Sequence, residues 1–91
     1  MEKIDYERSS HVLKALSHPL RLEILELLSD NEYCVTGISN ALNIRQAVSS
    51  HHLTILKNSG IVYSNKKGAK TYYIVTDNLA KGIISFLKRN K

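Results

Sequence analysis

The chain has 91 residues, 43% hydrophobic and 23% charged, with a net charge of +5 and one cysteine. That is a single domain, residues 1–91, of ordinary soluble composition, small enough that burying surface in a dimer would help it. No apolar run approaches the ~20 residues of a membrane span, MEKIDYERSS lacks the apolar core of a signal peptide, and Cys34 alone excludes an intrachain disulfide. The expectation is a cytoplasmic protein with no membrane association.

The placement of charge says more than its sum. Residues 1–32 hold seven acids and four bases, whereas Tyr33 to Thr76 contains no Asp or Glu and five bases: Arg45, Lys57, Lys66, Lys67 and Lys70. The last fifteen residues set Asp77 against Lys81, Lys88, Arg89 and Lys91. An acid-free stretch of 44 residues in a chain with eight acids points to a surface that faces a polyanion.

In chain order, residues 5–16 predict a first helix with Tyr6, Val12, Leu13 and Leu16 as its apolar set. Ser17-His18-Pro19 breaks it, because proline disfavours a helical residue before it and is pre-organised to start the next helix. That second helix, about 19–29, is apolar nearly all round (Leu20, Leu22, Ile24, Leu25, Leu27, Leu28) and should be the central buried element. Tyr33-Cys34-Val35 is too short for more than a scrap of strand. Thr36 is the expected N-cap of a short helix whose contacts are Ile38, Ala41 and Leu42, with Asn43 as its left-handed end.

Gln46–Gly60 reads as an amphipathic helix. Leu53 and Leu56, with Ser49 a turn earlier, mark one face. Ala47, Ser50, His51, Thr54, Lys57 and Asn58 mark the other, and Gly60 stands at the C-cap. Two short helices joined by three or four residues form a helix-turn-helix pattern. After Gly60 the period changes to two. Residues 61–66 and 70–75 are β-branched and tyrosine-rich arms around Lys67-Gly68-Ala69, a hairpin with lysines at its tip. Its tyrosines, Tyr63, Tyr72 and Tyr73, are expected to be core. A last helix, capped by Thr76 or Asp77, carries Leu79, Ile83 and Phe86 on one stripe and Ala80, Ile84 and Leu87 beside it. That face is broader than one side of a small domain needs. With the first helix it reads as a dimer surface built from Tyr6, Leu13, Leu79, Ile83, Phe86 and Leu87.

The fold class is therefore mainly α with a small β-hairpin, a winged helix-turn-helix. LKALSHPLRLEILELL (13–28), the series Gln46, Ser50-His51-His52-Leu53, Leu56, Gly60-Ile61-Val62, and Gly68 with Tyr72-Tyr73 resemble the ArsR/SmtB family of bacterial and archaeal repressors. The three blocks fall in order at the right spacing over residues 11–76. The resemblance implies a homodimer joined by its first and last helices. Each subunit would place the 46–59 helix in a major groove of double-stranded DNA and the 62–75 wing along the backbone, and would repress transcription from a palindromic operator. Gln46 can bond adenine, Ser50 and His51 can serve bases or phosphates, and Ala47 or the Thr54 methyl can meet a thymine methyl. Arg45, Lys57, Lys66, Lys67 and Lys70 suit phosphates.

The sequence departs from the family pattern at several positions. Arg45 stands where a capping serine is usual, Ser49 where the core usually has valine, and Ala69 replaces the wing-tip arginine. Cys34-Val35-Thr36 keeps one cysteine of the family's metal-sensing pair, which is too few for a thiolate site. Leu79 occupies the histidine position of the alternative site, and no histidine follows position 52. No metal site and no cofactor are expected, and Cys34 reads as a buried, inert residue. His51 and His52 point about 100° apart on a helix, so one should face outward and the other pack inward. Ser50 beside His51 makes no nucleophile, since no orienting acid lies in residues 33–76, so no enzyme is expected. The alternatives to a specific regulator are a sequence-tolerant architectural DNA binder and a winged-helix protein–protein module.

Overall fold

The computed structural model describes residues 2–91. Its organising element is α2 (Pro19–Asp30), against which α1 (Tyr6–Leu16), α3 (Val35–Leu42), α4 (Gln46–Asn58), α5 (Asn78–Arg89) and the strand β3 (Lys70–Val75) all pack. The expectation from its composition holds: Ile24, Leu25 and Leu28 are buried, and Leu22 and Leu27 are partly so. Pro19 begins the helix, and the His18 imidazole caps it, with Nδ1 accepting from the Leu20 N–H at 3.1 Å. Asp5 caps α1 by accepting from the Arg8 N–H at 3.0 Å, and Asp77 caps α5 by accepting from the Ala80 N–H at 2.8 Å.

The scrap of strand at Tyr33–Cys34 is β1. It pairs antiparallel with β3, Tyr33 opposite Tyr73 and Cys34 opposite Tyr72, so the wing with β2 (Val62–Lys67) is a three-stranded sheet of order β1-β3-β2. This pairing moves the start of α3. Cys34 is held extended, with φ −82° and ψ 167°, and the helix begins at Val35 with no side-chain cap. Thr36 therefore lies inside the first turn instead of capping it. Val35, Ile38, Ser39 and Leu42 form the covered stripe of the helix, and Ala41, expected in the core, is exposed.

Asn43 ends α3 in the left-handed conformation (φ 56°, ψ 51°), and the Ile44 N–H donates back to the Ser39 carbonyl at 3.0 Å. Three residues later α4 begins. Its buried stripe is Ser49, His52, Leu53 and Leu56. The Ser49 hydroxyl, wholly buried, meets the Ser39 hydroxyl at 2.8 Å, and Ser39 donates to the Val35 carbonyl at 2.9 Å. Since Ser39 spends its one proton on Val35, Ser49 donates to Ser39. The serine that stands where the family usually has valine is thus satisfied by a bond across the helix-turn-helix. At the far end Gly60, with φ 77°, closes α4. Its N–H donates to the Lys57 carbonyl and the Ile61 N–H to that of Leu56, both at 3.0 Å. Ile61 is thereby turned into the core.

In the wing, Lys67 pairs with Lys70, so the loop is the two residues Gly68-Ala69 and not three. Gly68 takes φ 63° at its first position, as a type II′ turn requires. Val62 and Val75 face the core and Tyr73 packs against it. Tyr63, expected inside, is 60% exposed opposite Ile74, because β2 alternates outward immediately after Val62.

The two serines predict an asymmetry. Ser39→Ala strands the buried Ser49 hydroxyl and should cost about 1–3 kcal/mol, whereas Ser49→Ala should cost less because Ser39 keeps Val35. Urea unfolding of both variants measures the difference, and equal losses would refute the assigned direction.

Candidate nucleic-acid interface

The outer face of α4 is built by subtraction. Once Ser49, His52, Leu53 and Leu56 are committed to the core, helix geometry turns Gln46, Ala47, Ser50, His51, Thr54 and Lys57 outward, and all six are exposed. Arg45, also exposed, precedes the helix and caps it only through its backbone: its carbonyl accepts from the Val48 and Ser49 N–H groups at 3.1 Å. Lys57 lies in the last turn, where a cation complements the helix dipole.

Two of these side chains are already engaged. Gln46 Nε2 donates to Thr36 Oγ1 at 3.2 Å, which leaves its second N–H and its carbonyl oxygen free and fixes the amide plane from α3. Thr36 is thus a supporting residue of the site that its expected role as a cap concealed. Thr54 donates its hydroxyl to the Ser50 carbonyl at 2.8 Å, so the group it can offer outward is its methyl.

At the wing, Lys66 and Lys70 are exposed and make no ion pair among the described residues. Lys67 differs. It is paired with Glu32, in the turn after α2, and lies over the Tyr72 ring at 5.4 Å. Glu32 closes the acidic N-terminal third of the sequence, and folding brings it to the base of the basic surface.

On α1 and α5, which pack together, Tyr6, Leu13, Phe86 and Leu87 are between 45% and 76% exposed, and Ile4, just before α1, is 65% exposed. Leu79 and Ile83, expected to join them in the dimer surface, are partly buried against the protein's own core. Asp77 is occupied in capping α5 and in an ion pair with Arg8. Cys34 is half-buried, and among the described residues no three His, Cys, Asp or Glu side chains converge as a metal site would require.

The adjacent histidines divide as their spacing predicts: His51 is exposed and His52 is 6% exposed. Burial, reinforced by the neighbouring His18, Arg21 and His51, holds His52 below its ordinary value of 6.5. Its Nδ1 and the Arg21 Nε are both buried without a hydrogen-bond partner.

A short helix, a left-handed turn, an outward-facing polar helix and a lysine-tipped hairpin define a winged helix-turn-helix DNA-binding regulator. The model of the bacterial regulatory protein, arsR family, matches residues 18–64, and the chain belongs to that family. It is similar to an HTH-type transcriptional regulator of Methanocaldococcus jannaschii, 42% identical over 88 residues, covering 96% of this chain and 97% of that one. HlyU from Vibrio cholerae superposes with a TM-score of 0.89 at 34% identity, covering 98% and 96% of the two chains. The homodimeric winged helix-turn-helix DNA-binding domain Mb0332 from Mycobacterium bovis does so with a TM-score of 0.82 at 26% identity, covering 94% and 84%. No helix among the described residues is long and apolar enough to cross a membrane.

The His52 environment fixes a pH dependence of stability. Its folded value lies below the unfolded 6.5, so the stability it contributes is fully present above about pH 6.5 and is lost as pH falls through the folded value. Thermal melting between about pH 7 and pH 5 should therefore show a larger acid loss for the natural chain than for His52→Phe. Equal losses would mean that His52 carries none of it.

Proposed function

We propose that the chain is a cytoplasmic repressor that binds a palindromic operator as a homodimer, each subunit laying α4 in a major groove and its wing along the adjacent backbone. The observation that carries this reading is the exposed, acid-free face of α4. Its seven exposed side chains follow the exposed Arg45 and precede the exposed lysines of the hairpin, with no acid between them in the chain. A helix fits the major groove and its outward polar groups reach base edges there. Gln46, held in plane by Thr36, is set to bond adenine, Ser50 and His51 to serve bases or phosphates, and Ala47 and the Thr54 methyl to meet thymine methyls. Arg45, Lys57, Lys66 and Lys70 take phosphates.

The dimer rests on the exposed Tyr6, Leu13, Phe86 and Leu87 and on the homodimeric neighbour. A two-fold axis presents two reading helices about 34 Å apart, one DNA turn, which is what makes a palindrome the matching target. Repression is the sense of regulation that the family resemblance implies. The acid-free surface disfavours a protein–protein module, because the cores of such interfaces are depleted of charge of either sign.

Fluorescence-anisotropy titration against the upstream region of the chain's own gene and against random duplex tests the proposal. A dimer by sedimentation should prefer a palindromic site by about 10³ or more, with each phosphate contact adding about 0.9 to the salt slope. His51→Ala should reduce operator affinity more than random-duplex affinity, and Lys66→Ala should reduce both alike. Affinity that ignores sequence would establish the architectural alternative, and no affinity at low salt would end both readings.

The Glu32–Lys67 pair adds a further expectation. Glu32→Gln frees Lys67 and should raise affinity for any duplex about 1.5- to 5-fold at low salt, the worth of a surface ion pair, with the gain fading as salt rises. An unchanged affinity would place Lys67 away from the DNA.

A further inference from the structure

Three imidazoles meet where α4 crosses the start of α2. The His52 ring lies 4.4 Å from that of His18, tilted by 46°, and 5.1 Å from that of His51, nearly edge-on at 68°. His18 is fixed at one end of this row, because its Nδ1 accepts from the Leu20 N–H. His51 stands at the other end, on the reading face. His52 between them is buried, with Nδ1 unpartnered.

The surroundings contain nothing to neutralise a charge on the middle ring. From α2 it faces His18 and the Arg21 guanidinium, and from α4 it faces His51. The other elements packed on α4 offer no acid: α3 has no titratable side chain, and β2 has only Tyr63, Lys66 and Lys67. The acids of α2, Glu23, Glu26 and Asp30, are all exposed and none of them bears on the ring. A proton on His52 would therefore sit in a largely buried site among cations and protonatable rings, and that setting favours the neutral ring.

We infer that His52 is a positioning residue for DNA reading: its ring, braced by His18, sets the direction of His51, so that sequence discrimination by α4 depends on His52 staying uncharged. The inference rests on the reading of α4 as the recognition helix and adds to it a residue that touches no base. Protonation of His52 drives its ring away from Arg21 and His18, and the edge against which His51 rests goes with it. Acidification should therefore separate the two affinities, lowering the preference for the operator while non-specific binding holds.

The test is the ratio of operator to random-duplex affinity, measured from about pH 8 to pH 5 at constant ionic strength. If the reading geometry requires one deprotonated group, the ratio should fall about tenfold per pH unit below the His52 titration. His52→Phe keeps a ring without a proton, and whatever its affinity near neutrality, its ratio should not change with pH. His51→Ala should also lose the slope, since the contact that His52 directs is gone. A purely structural His52 would disturb all of α4 and leave the slope intact in His51→Ala, which would overturn the inference. So would a natural chain whose ratio is flat, or equal slopes in it and in His52→Phe. Imidazole NMR titration of the free protein supplies the second arm: the His51 resonances should inflect at the His52 midpoint, and their indifference to it would overturn the inference without any DNA present. A chain that binds no duplex at any pH would instead refute the recognition reading and take this inference with it.

Discussion

The hydrogen bond between Ser39 and Ser49 is the contact from which the rest of the reading head follows. It is buried where two helices meet, a place that usually selects for shape alone, and it ties a hydroxyl of α3 to one of α4 in a single geometry. Apolar packing of Leu53 and Leu56 presses α4 onto the core but leaves sliding and rotation cheap, because dispersion contacts are non-directional. A buried hydroxyl pair is directional, and breaking it leaves a polar group dry. The phase of α4 about its own axis, and with it the identity of every outward residue, is set at that point. The Gln46–Thr36 bond repeats the device at the exposed end of the same helix pair.

Much of this was legible in the sequence, for reasons that can be assigned. The breaks at His18-Pro19, Asn43 and Gly60 are local: a proline ring or a left-handed backbone announces itself whatever lies around it. The outward face of α4 and the division of His51 from His52 followed from helix periodicity alone. The failures share a different cause. Thr36 loses its capping role because Cys34 pairs with Tyr72, a residue far along the chain that no local pattern includes. Ala41 yields its place in the core to Ser39, whose hydroxyl meets that of Ser49 from the neighbouring helix. A serine in the buried stripe reads as a defect until its partner is known. Glu32 lies just outside the acid-free stretch and becomes part of the basic surface only because the sheet brings Lys67 back to it, 35 residues later.

Electrostatics divides the molecule more finely than the sequence count does. Carboxylates from both ends of the chain supply caps and ties: Asp5 and Asp77 hold helix ends, Asp77 holds Arg8, and Glu32 holds Lys67. These carboxylates are spent on intramolecular partners, which leaves the cations of α4 and the wing as the charge that a distant polyanion meets. The cluster of His18, Arg21 and His52 stands apart from both sets. It is polar without being acidic, and it lies under the reading helix in place of apolar packing.

The sheet has a consequence of a different kind. With β3 in the middle and β1 only two residues long, β2 is the one long strand with an unpaired edge. Such an edge invites an identical edge from another molecule, and proteins that expose one commonly arm it with lysine. Here the arming is Lys66 and Lys67, at the tip end of β2. These charges guard the edge of the sheet against a second copy of itself. Chemistry that neutralised them, such as lysine acetylation, would weaken the protein's resistance to edge-to-edge association.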